Sequence, residues 1–214
     1  MTTFGIKIKI CGITNLKDAQ NAQDLGANAI GFIFYKKSPR YISPLKVAKI
    51  IKRINPFISC VGVFVDEKIE NVIRIRKICS LTAVQLHGRE SPGYCRLLKK
   101  CLPNIPLIKS FRIKDRDSLK DFHRYKVDAY LLDTFQGDMP GGTGKTFDWS
   151  IAKKAKKCRH PIIISGGLNS KNVLRAIKYL KPYAVDASSG LEKFPGKKDY
   201  RLLRQFIQKV KEVN

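Results

Sequence analysis

Eight alternations of a short apolar run with an amphipathic stretch constrain the fold of this chain more than any other feature. The apolar runs have strand length, and most are apolar throughout, which is typical of strands buried on both faces of a parallel sheet. The runs are IKIKIC (6–11), AIGFIF (29–34), SCVGVFV (59–65), AVQL (83–86), LIKSF (107–111), AYLLD (129–133), IIIS (162–165) and AVDA (184–187).

The stretches between and after these runs place apolar residues at helical spacing. They predict helices over 15–26, 44–54, 67–78, 91–101, 147–157, 169–180 and 199–213, with a weaker pattern over 117–125. Three of these helices start at a residue type that is preferred as an N-cap, namely Asn15, Asn169 and Asp199.

The order of elements predicts an α/β fold with parallel strands, a single (β/α)8 TIM barrel. The 214 residues leave about 27 per unit, which is enough for one strand, one helix and two tight loops. We therefore expect one catalytic domain over residues 1–214. An open doubly wound sheet has the same alternation, but it usually has fewer strands and a G-x-G-x-x-G turn after the first strand. The turn here reads CGITNL, which does not match.

The N-terminal segment, the hydrophobic runs and the cysteine spacing indicate the cellular compartment. The N-terminal segment MTTFGIKIKICGITN has neither the uniform apolar run nor the cleavage site of a signal peptide. No stretch approaches the roughly 20 consecutive apolar residues of a membrane-spanning helix, so we expect a soluble, cytoplasmic protein without a membrane partner. The cysteines at 11, 60, 79, 95, 101 and 158 form no C-x-x-C pair, which favours reduced thiols over a metal or redox site.

The charge of the chain is strongly positive, with 42 Lys and Arg against 17 Asp and Glu and a formal net charge of +25. Such an excess can neutralise nucleic-acid phosphates. The basic residues are scattered over the helical stretches, however, and form neither a basic arm nor a known nucleic-acid motif. We expect no specific nucleic-acid partner and interpret the charge as a solvated surface that also attracts an anionic substrate. A basic nucleic-acid-binding protein that uses the barrel as a scaffold stays open as an alternative.

Two small-residue loops follow the seventh and eighth strands. Gly166 and Gly167 follow the seventh strand. Ser188, Ser189 and Gly190 follow the eighth strand. Barrels of this type often bind phosphate at these two loops, where backbone N–H groups near a helix start face the anion. Either loop alone could be an ordinary tight turn, but the two in paired positions predict a phosphate site.

The segment GGTGKT (141–146) does not have the spacing of a nucleotide-binding P-loop, because Met139 stands where the first glycine is required. We interpret Gly142 and Gly144 as part of a loop that follows the sixth strand and closes over the substrate.

Five polar residues at strand ends are further candidates, because active sites of these barrels lie at the C-terminal ends of the strands. Cys11 could be a general base or simply a packed thiol. Asp133 ends an apolar run, where a carboxylate is costly unless it caps the sheet or works in a site. Arg40 could bind a carboxylate or be solvated, and His87 could be structural or functional. Asp186 lies in the last strand.

Taken together, the segments around these residues resemble the phosphoribosylanthranilate isomerase family, in the same order and over nearly the whole chain. The departures, at Ser165, Ala187 and Leu191, remove no functional group. The matching motifs are KICGIT (9–14), FYKKSPRYI (34–42), VGVFVD (61–66), VQLHG (84–88), LLDT (131–134), GGTGKTFDW (141–149), SGGL (165–168) and DASSGLE (186–192).

The resemblance implies the Amadori rearrangement of N-(5-phosphoribosyl)anthranilate to 1-(2-carboxyphenylamino)-1-deoxyribulose 5-phosphate, in tryptophan biosynthesis. By this carry-over Asp133 is the general acid, Cys11 is the general base and Arg40 holds the anthranilate carboxylate. His87 and Asp186 line the site. The substrate phosphate is held by Gly166, Gly167, Ser188, Ser189 and Gly190. The resemblance implies no metal or organic cofactor, and it leaves open whether the protein is a monomer or a homodimer.

Another phosphate-binding barrel isomerase is the alternative within the same class of enzymes. The histidine-pathway enzyme performs the same type of rearrangement with two aspartates, whereas the first strand here ends in Cys11. Indole-glycerol phosphate synthase would need a longer N-terminal extension and a catalytic lysine.

The scattered distribution of charge predicts weak and nonspecific retention on polyanions. We expect the protein to elute from heparin and from duplex DNA by about 150 mM salt, because specific binders combine a clustered basic surface with base contacts. Retention well above that salt concentration would instead support the nucleic-acid-binding alternative.

Overall fold

A computed structural model describes residues 5–113, 122–133 and 160–213. Its eight main strands form a closed parallel barrel in chain order, and the first strand pairs with the eighth. This arrangement confirms the predicted (β/α)8 barrel, and every predicted strand lies within one residue of its observed bounds. The strands are β1 Lys7–Cys11, β2 Ala29–Ile33, β3 Ser59–Phe64, β4 Ala83–Leu86, β5 Leu107–Arg112, β6 Ala129–Asp133, β7 Ile162–Ser165 and β8 Ala184–Ala187.

Helices connect the strands on the outside of the barrel. The described α-helices are α1 Leu16–Asp24, α2 Pro44–Ile51, α3 Ile69–Cys79, α4 Pro92–Cys101, α5 Val173–Leu180 and α6 Tyr200–Lys211. Between β8 and α6 the chain forms a 3-10 turn, Ser189–Leu191, and a small antiparallel hairpin of β9, Glu192–Phe194, and β10, Lys197–Lys198.

Two of the three predicted N-caps are confirmed. The side chain of Asn15 accepts from the backbone N–H of Asp18, and that of Asp199 accepts from two N–H groups of the first turn of α6. The third prediction is wrong, because α5 begins at Val173 and the Asn169 side chain accepts from Lys171 N in the turn before it.

The helix predicted over 117–125 is also wrong where it is described. Residues Phe122–Arg124 form only a 3-10 turn, whose Phe122 carbonyl accepts a 2.7 Å hydrogen bond from the Tyr130 hydroxyl. Residues 117–121 of that prediction, and the whole helix predicted over 147–157, lie outside the described residues.

Two apolar layers hold the barrel together. The larger layer lies between the sheet and the helices and includes Ile8, Ile10 and Phe32, each at most 1% exposed. Burying one such side chain stabilises the fold by about 1.5–3 kcal/mol. The smaller layer fills the inside of the barrel with Val61, Ala83, Ile108, Ala129, Leu131, Ile163 and Ala184. Within the described residues, no helix has the length and apolar composition that crossing a bilayer requires.

A buried ion pair supports the loops that follow β3 and β4. Lys109 on β5 donates to Glu90 at 2.9 Å, and both side chains are at most 3% exposed. The Glu90 carboxylate also accepts from the backbone N–H groups of Asp66 and Gly88. One charged pair therefore connects the ends of three neighbouring strands.

Removing only one member of this pair leaves an uncompensated buried charge. We expect Lys109→Met to lower the free energy of unfolding by about 3–5 kcal/mol, and Lys109→Met combined with Glu90→Gln to recover much of that loss. Urea denaturation followed by circular dichroism measures both. Equal destabilisation in the single and the double variant would contradict this role for the pair.

Candidate active site

A cavity of about 500 Å³ opens at the C-terminal ends of the strands. It is lined by residues from all eight strands or the loops after them, so the closed sheet gathers residues that are far apart in sequence. Nine of the predicted site residues line it: Cys11, Arg40, His87, Asp133, Gly166, Gly167, Asp186, Ser188 and Ser189. Gly190 lies beside the cavity in the same loop as Ser189, and Gly142 and Gly144 lie outside the described residues.

The thiol of Cys11 shares the mouth of the barrel with a buried ion pair. Lys9 precedes Cys11 by two positions on β1, and its parallel register partner on β8 is Asp186. The Lys9 ammonium donates to the Asp186 carboxylate at 2.8 Å, and both side chains are 4% exposed. The period of two along a strand thus directs Lys9 and Cys11 to the same side of the sheet.

Opposing effects set the pKa of Cys11. Burial raises the pKa of the thiol, and the positive charge of Lys9 lowers it. The resulting pKa is above the ordinary value of a cysteine. For Lys9, burial lowers the pKa, but Asp186 and Cys11 outweigh burial and raise it. Lys9 therefore stays protonated and is the nearby cation that favours the thiolate.

Gly31 on β2 gives the thiol its space. A Cβ atom at this position would lie 2.8 Å from the Cys11 sulfur and 3.3 Å from the Lys9 nitrogen. Only a residue without a side chain allows the neighbouring strand to approach the pair so closely.

The carboxyl group of Asp133 is held by a short chain of side chains. His87 Nε2 lies 3.3 Å from Asp133 Oδ2, and Gln85 Nε2 lies 3.0 Å from His87 Nδ1. The Gln85 amide donates to Nδ1, so the imidazole proton lies on Nε2 and faces Asp133. A carboxyl group that accepts on one oxygen can still carry its own proton on the other.

The loops after β7 and β8 form a closely packed pair. Gly166 and Gly167 both have positive φ values, 98° and 63°, which side-chain-bearing residues rarely adopt. A Cβ atom at Gly190 would lie 2.3 Å from the Leu168 carbonyl oxygen. Glycine at position 190 therefore allows the two loops to touch.

Three buried polar atoms at the mouth have no hydrogen-bond partner among the described residues. They are Gln85 Oε1, Asp186 Oδ1 and Ser188 Oγ, and all three residues line the cavity. Buried polar atoms are nearly always hydrogen-bonded in native proteins. Their convergence on one cavity indicates a polar ligand.

Arg40 is not a solvated loop residue. Its guanidinium donates from Nε and Nη2 to the Glu192 carboxylate, at distances of 2.6–3.0 Å. The other cation on Glu192 is Lys198, whose Nζ lies 2.8 Å from Oε1. The structure thus places Arg40 at the cavity and gives it an anionic partner on the side of the hairpin β9–β10.

Sequence reasoning missed Lys9, Gln85, Glu192 and Lys198. A lysine within an apolar strand was a signal for Lys9, because an inward charge on a buried strand requires a partner. Glu192 and Lys198 gave no such signal. They pair with each other in a hairpin too short to predict, and the other partner of Glu192, Arg40, lies in a distant segment of the chain.

Neither a cluster of metal-ligating side chains nor a disulfide is found in the described parts of the chain. No group of three or more His, Cys, Asp and Glu residues in those parts is arranged to hold a metal ion. Five of the six cysteines lie there, and each is a free thiol; Cys158 lies outside.

Comparison with known proteins identifies close relatives over nearly the full length. The family model for N-(5'-phosphoribosyl)anthranilate (PRA) isomerase matches residues 8–209. The N-(5'-phosphoribosyl)anthranilate isomerase of Geobacter sp. (strain M21) is 46% identical over 208 residues, which cover 97% of this chain and 99% of that protein.

Solved structures give the same result. The crystal structure of phosphoribosyl anthranilate isomerase from Thermotoga maritima superimposes with a TM-score of 0.87 at 41% identity, and the match covers 97% of this chain and 99% of that chain. A second structure of such an isomerase, in complex with reduced 1-(o-carboxyphenylamino)-1-deoxyribulose 5-phosphate, has a TM-score of 0.85 at 38% identity over 97% and 99% of the two chains.

The ion pair beside Cys11 predicts a measurable change in thiol ionisation. We expect Lys9→Met to move the alkylation midpoint of Cys11 to higher pH, because the cation that lowers the pKa of the thiol is lost. The rate of iodoacetamide modification, followed by mass spectrometry of the Cys11 peptide across pH, measures the shift. Lys7→Met, on the same strand but away from the thiol, is the matched control. An unchanged midpoint in Lys9→Met would show that its charge does not reach the sulfur.

Proposed function

The chain belongs to the N-(5'-phosphoribosyl)anthranilate isomerase family, and we propose that Asp133 and Cys11 carry out the acid and base steps of the reaction. The reaction is the Amadori rearrangement of N-(5-phosphoribosyl)anthranilate to 1-(2-carboxyphenylamino)-1-deoxyribulose 5-phosphate, in tryptophan biosynthesis. It is an intramolecular oxidation and reduction, in which an aminoaldose becomes an aminoketose.

The first step opens the sugar ring. Asp133 donates its proton to the furanose ring oxygen while the C1–O bond breaks, and the nitrogen lone pair forms a C1=N Schiff base. His87, fixed by Gln85, holds the Asp133 carboxyl group in place and donates a hydrogen bond to the carboxylate that the step leaves behind.

The second step removes the proton on C2. The Cys11 thiolate takes this proton, the C–H electrons form the C1=C2 bond, and the Schiff-base nitrogen regains its lone pair. The resulting enol tautomerises to the ketone. One proton leaves the acid and one enters the base, so the total charge of the site is unchanged through both steps.

The ammonium of Lys9 supports this assignment of the base. A thiol in a buried strand end holds its proton, whereas catalysis requires the thiolate. The positive charge of Lys9 lowers the pKa of Cys11 and opposes the effect of burial. Asp186 keeps that ammonium charged and in position.

The two anionic groups of the substrate are bound by different groups of the cavity lining. The 5-phosphate is bound by the backbone of Gly166, Gly167, Ser189 and Gly190 and by the Ser188 hydroxyl, while Arg40 binds the anthranilate carboxylate. The single observation that carries this proposal is the set of three unpartnered buried polar atoms in the same cavity as Cys11 and Asp133. The role predicted for Gly142 and Gly144, in a loop that closes over the substrate, stays a prediction, since both lie outside the described residues.

The remaining assignments follow from the family. We expect one catalytic domain in the cytoplasm, a phosphorylated sugar as the substrate, and no specific nucleic-acid or membrane partner. The excess of positive charge increases the rate of encounter with the anionic substrate.

Variants of the two proposed catalytic groups test the mechanism. We expect Cys11→Ser and Asp133→Asn each to lower kcat by about 10²- to 10⁴-fold, which is the usual contribution of a general acid or base. The assay follows anthranilate fluorescence on freshly generated phosphoribosylanthranilate, and circular dichroism checks that each variant is folded. A folded wild-type protein without turnover would contradict the function itself.

The pH dependence gives a separate test of the base. Because the pKa of Cys11 lies above its ordinary value, the thiolate fraction grows as pH rises through neutrality. We expect kcat/KM to rise over the same range, and Lys9→Met to move this rise to higher pH. If kcat/KM still rises with pH in Cys11→Ser, the rise belongs to the ionisation of another group.

A further inference from the structure

The carboxylate of Glu192 lies between two cations at the edge of the active-site cavity. Arg40 donates to both of its oxygens, and the Lys198 ammonium lies 2.8 Å from one of them. The Glu192 and Lys198 side chains are 4% and 1% exposed, whereas that of Arg40 is 20% exposed. Arg40 is thus the accessible end of an otherwise buried cluster.

The contact uses one particular edge of the guanidinium. Arginine has five N–H donors in a planar fork, one on Nε and two on each terminal nitrogen. Glu192 takes the edge formed by Nε and Nη2. The end formed by Nη1 and the second N–H of Nη2 has no partner among the described residues, and this end has the spacing that matches a second carboxylate.

The stem of Arg40 is fixed as well. A Cβ atom at Gly12 would lie 2.8 Å from Arg40 Cδ, so the stem packs directly on the backbone that follows Cys11. Position 12 has a φ of +76°, where glycine is favoured. The side chain is held by packing along its stem and by hydrogen bonds along one edge of its head.

We propose that Glu192 is a positioning residue which holds Arg40 by one edge and so turns the free end of the guanidinium into a rigid receptor for the ortho carboxylate of the substrate. This inference deepens the proposed function and rests on it for the identity of the carboxylate. By positioning Arg40, Glu192 makes the site specific for a carboxylated aryl amine. Glu192 takes no part in the proton transfers.

The charges of the cluster agree with an anionic ligand. Burial raises the pKa of Glu192, but hydrogen bonds from Arg40 and Lys198 outweigh it and lower the pKa, so the side chain is an anion. Two cations and one anion leave one positive charge, which the carboxylate of the substrate neutralises. Without Lys198, the pair of Arg40 and Glu192 would already be neutral and would attract a second carboxylate less strongly.

Lys198 also connects this receptor to the loop after β8. Its ammonium donates to the carbonyl oxygen of Ser188 at 3.2 Å, and its backbone N–H donates to the buried Asp18. The hairpin β9–β10 therefore fixes the carboxylate receptor relative to the loop after β8.

A pair of stable ligands separates this role from a purely structural one. Reductive amination of ribose 5-phosphate with anthranilate gives a ligand with both anions, and the same reaction with aniline gives one that lacks only the carboxylate. Isothermal titration of each ligand gives two Kd values, and their ratio measures recognition of the carboxylate.

We expect Glu192→Gln to weaken binding of the carboxylated ligand by about 10- to 100-fold, the contribution of a hydrogen-bonded charged contact. The Kd of the aniline ligand should stay within about twofold of the wild-type value. The ratio of the aniline Kd to the anthranilate Kd therefore falls. Glu192→Asp keeps the charge that Lys198 requires but shortens the reach, so it should fold normally and also lower the ratio. Arg40→Lys keeps the cation, loses the fork and should behave in the same way.

Glu212→Gln is the matched control, because it makes the same change in an exposed ion pair at the end of α6. It should leave both Kd values unchanged. An equal loss of affinity for both ligands in Glu192→Gln, or no loss for either, would overturn the positioning role. These ligands need no turnover, so absence of isomerase activity in the wild type would contradict the proposed reaction while leaving the binding ratio readable.

Discussion

Closure of the sheet is the constraint on which the rest of the structure depends. Once eight parallel strands close, alternate side chains of every strand point into one shared interior, and the others pack under the helices. Small and apolar residues such as Ala83, Ala129 and Ala184 fill the inside. Toward the C-terminal ends the same alternation brings in Cys11, Gln85, Asp133 and Asp186, so the polar mouth has an apolar floor, where its charges are poorly screened and act strongly on one another.

Buried strands were predictable because hydrophobicity alone determines them: a run such as AYLLD has no polar position until its last residue, and that residue proved to line the cavity. Turn geometry was less predictable. Asn169 looks like an N-cap, yet the two glycines before it have left-handed backbone and delay the helix to Val173. Ion pairs were least predictable, because Arg40 and Glu192 are 152 positions apart and only the fold brings them together.

The lysines of this chain serve two different purposes, which the composition does not distinguish. Many lysines and arginines of the described helices, such as Lys46, Arg74 and Lys77, are exposed to solvent. Lys9, Lys109 and Lys198 are each at most 5% exposed, and each holds a carboxylate inside the protein. Composition counts all of them alike, although a buried lysine with one fixed acceptor organises its surroundings in a way that a mobile surface lysine cannot.

The contact between Gly190 and the Leu168 carbonyl has a consequence for the order in which a ligand is captured. Two loops in backbone contact cannot open separately, so the proposed phosphate end of the cavity is already assembled and loses little conformational entropy when an anion arrives. A phosphate bound there would act as a tether that raises the local concentration of the aromatic end near Arg40. Recognition would then proceed from the preassembled loops after β7 and β8 toward the guanidinium of Arg40.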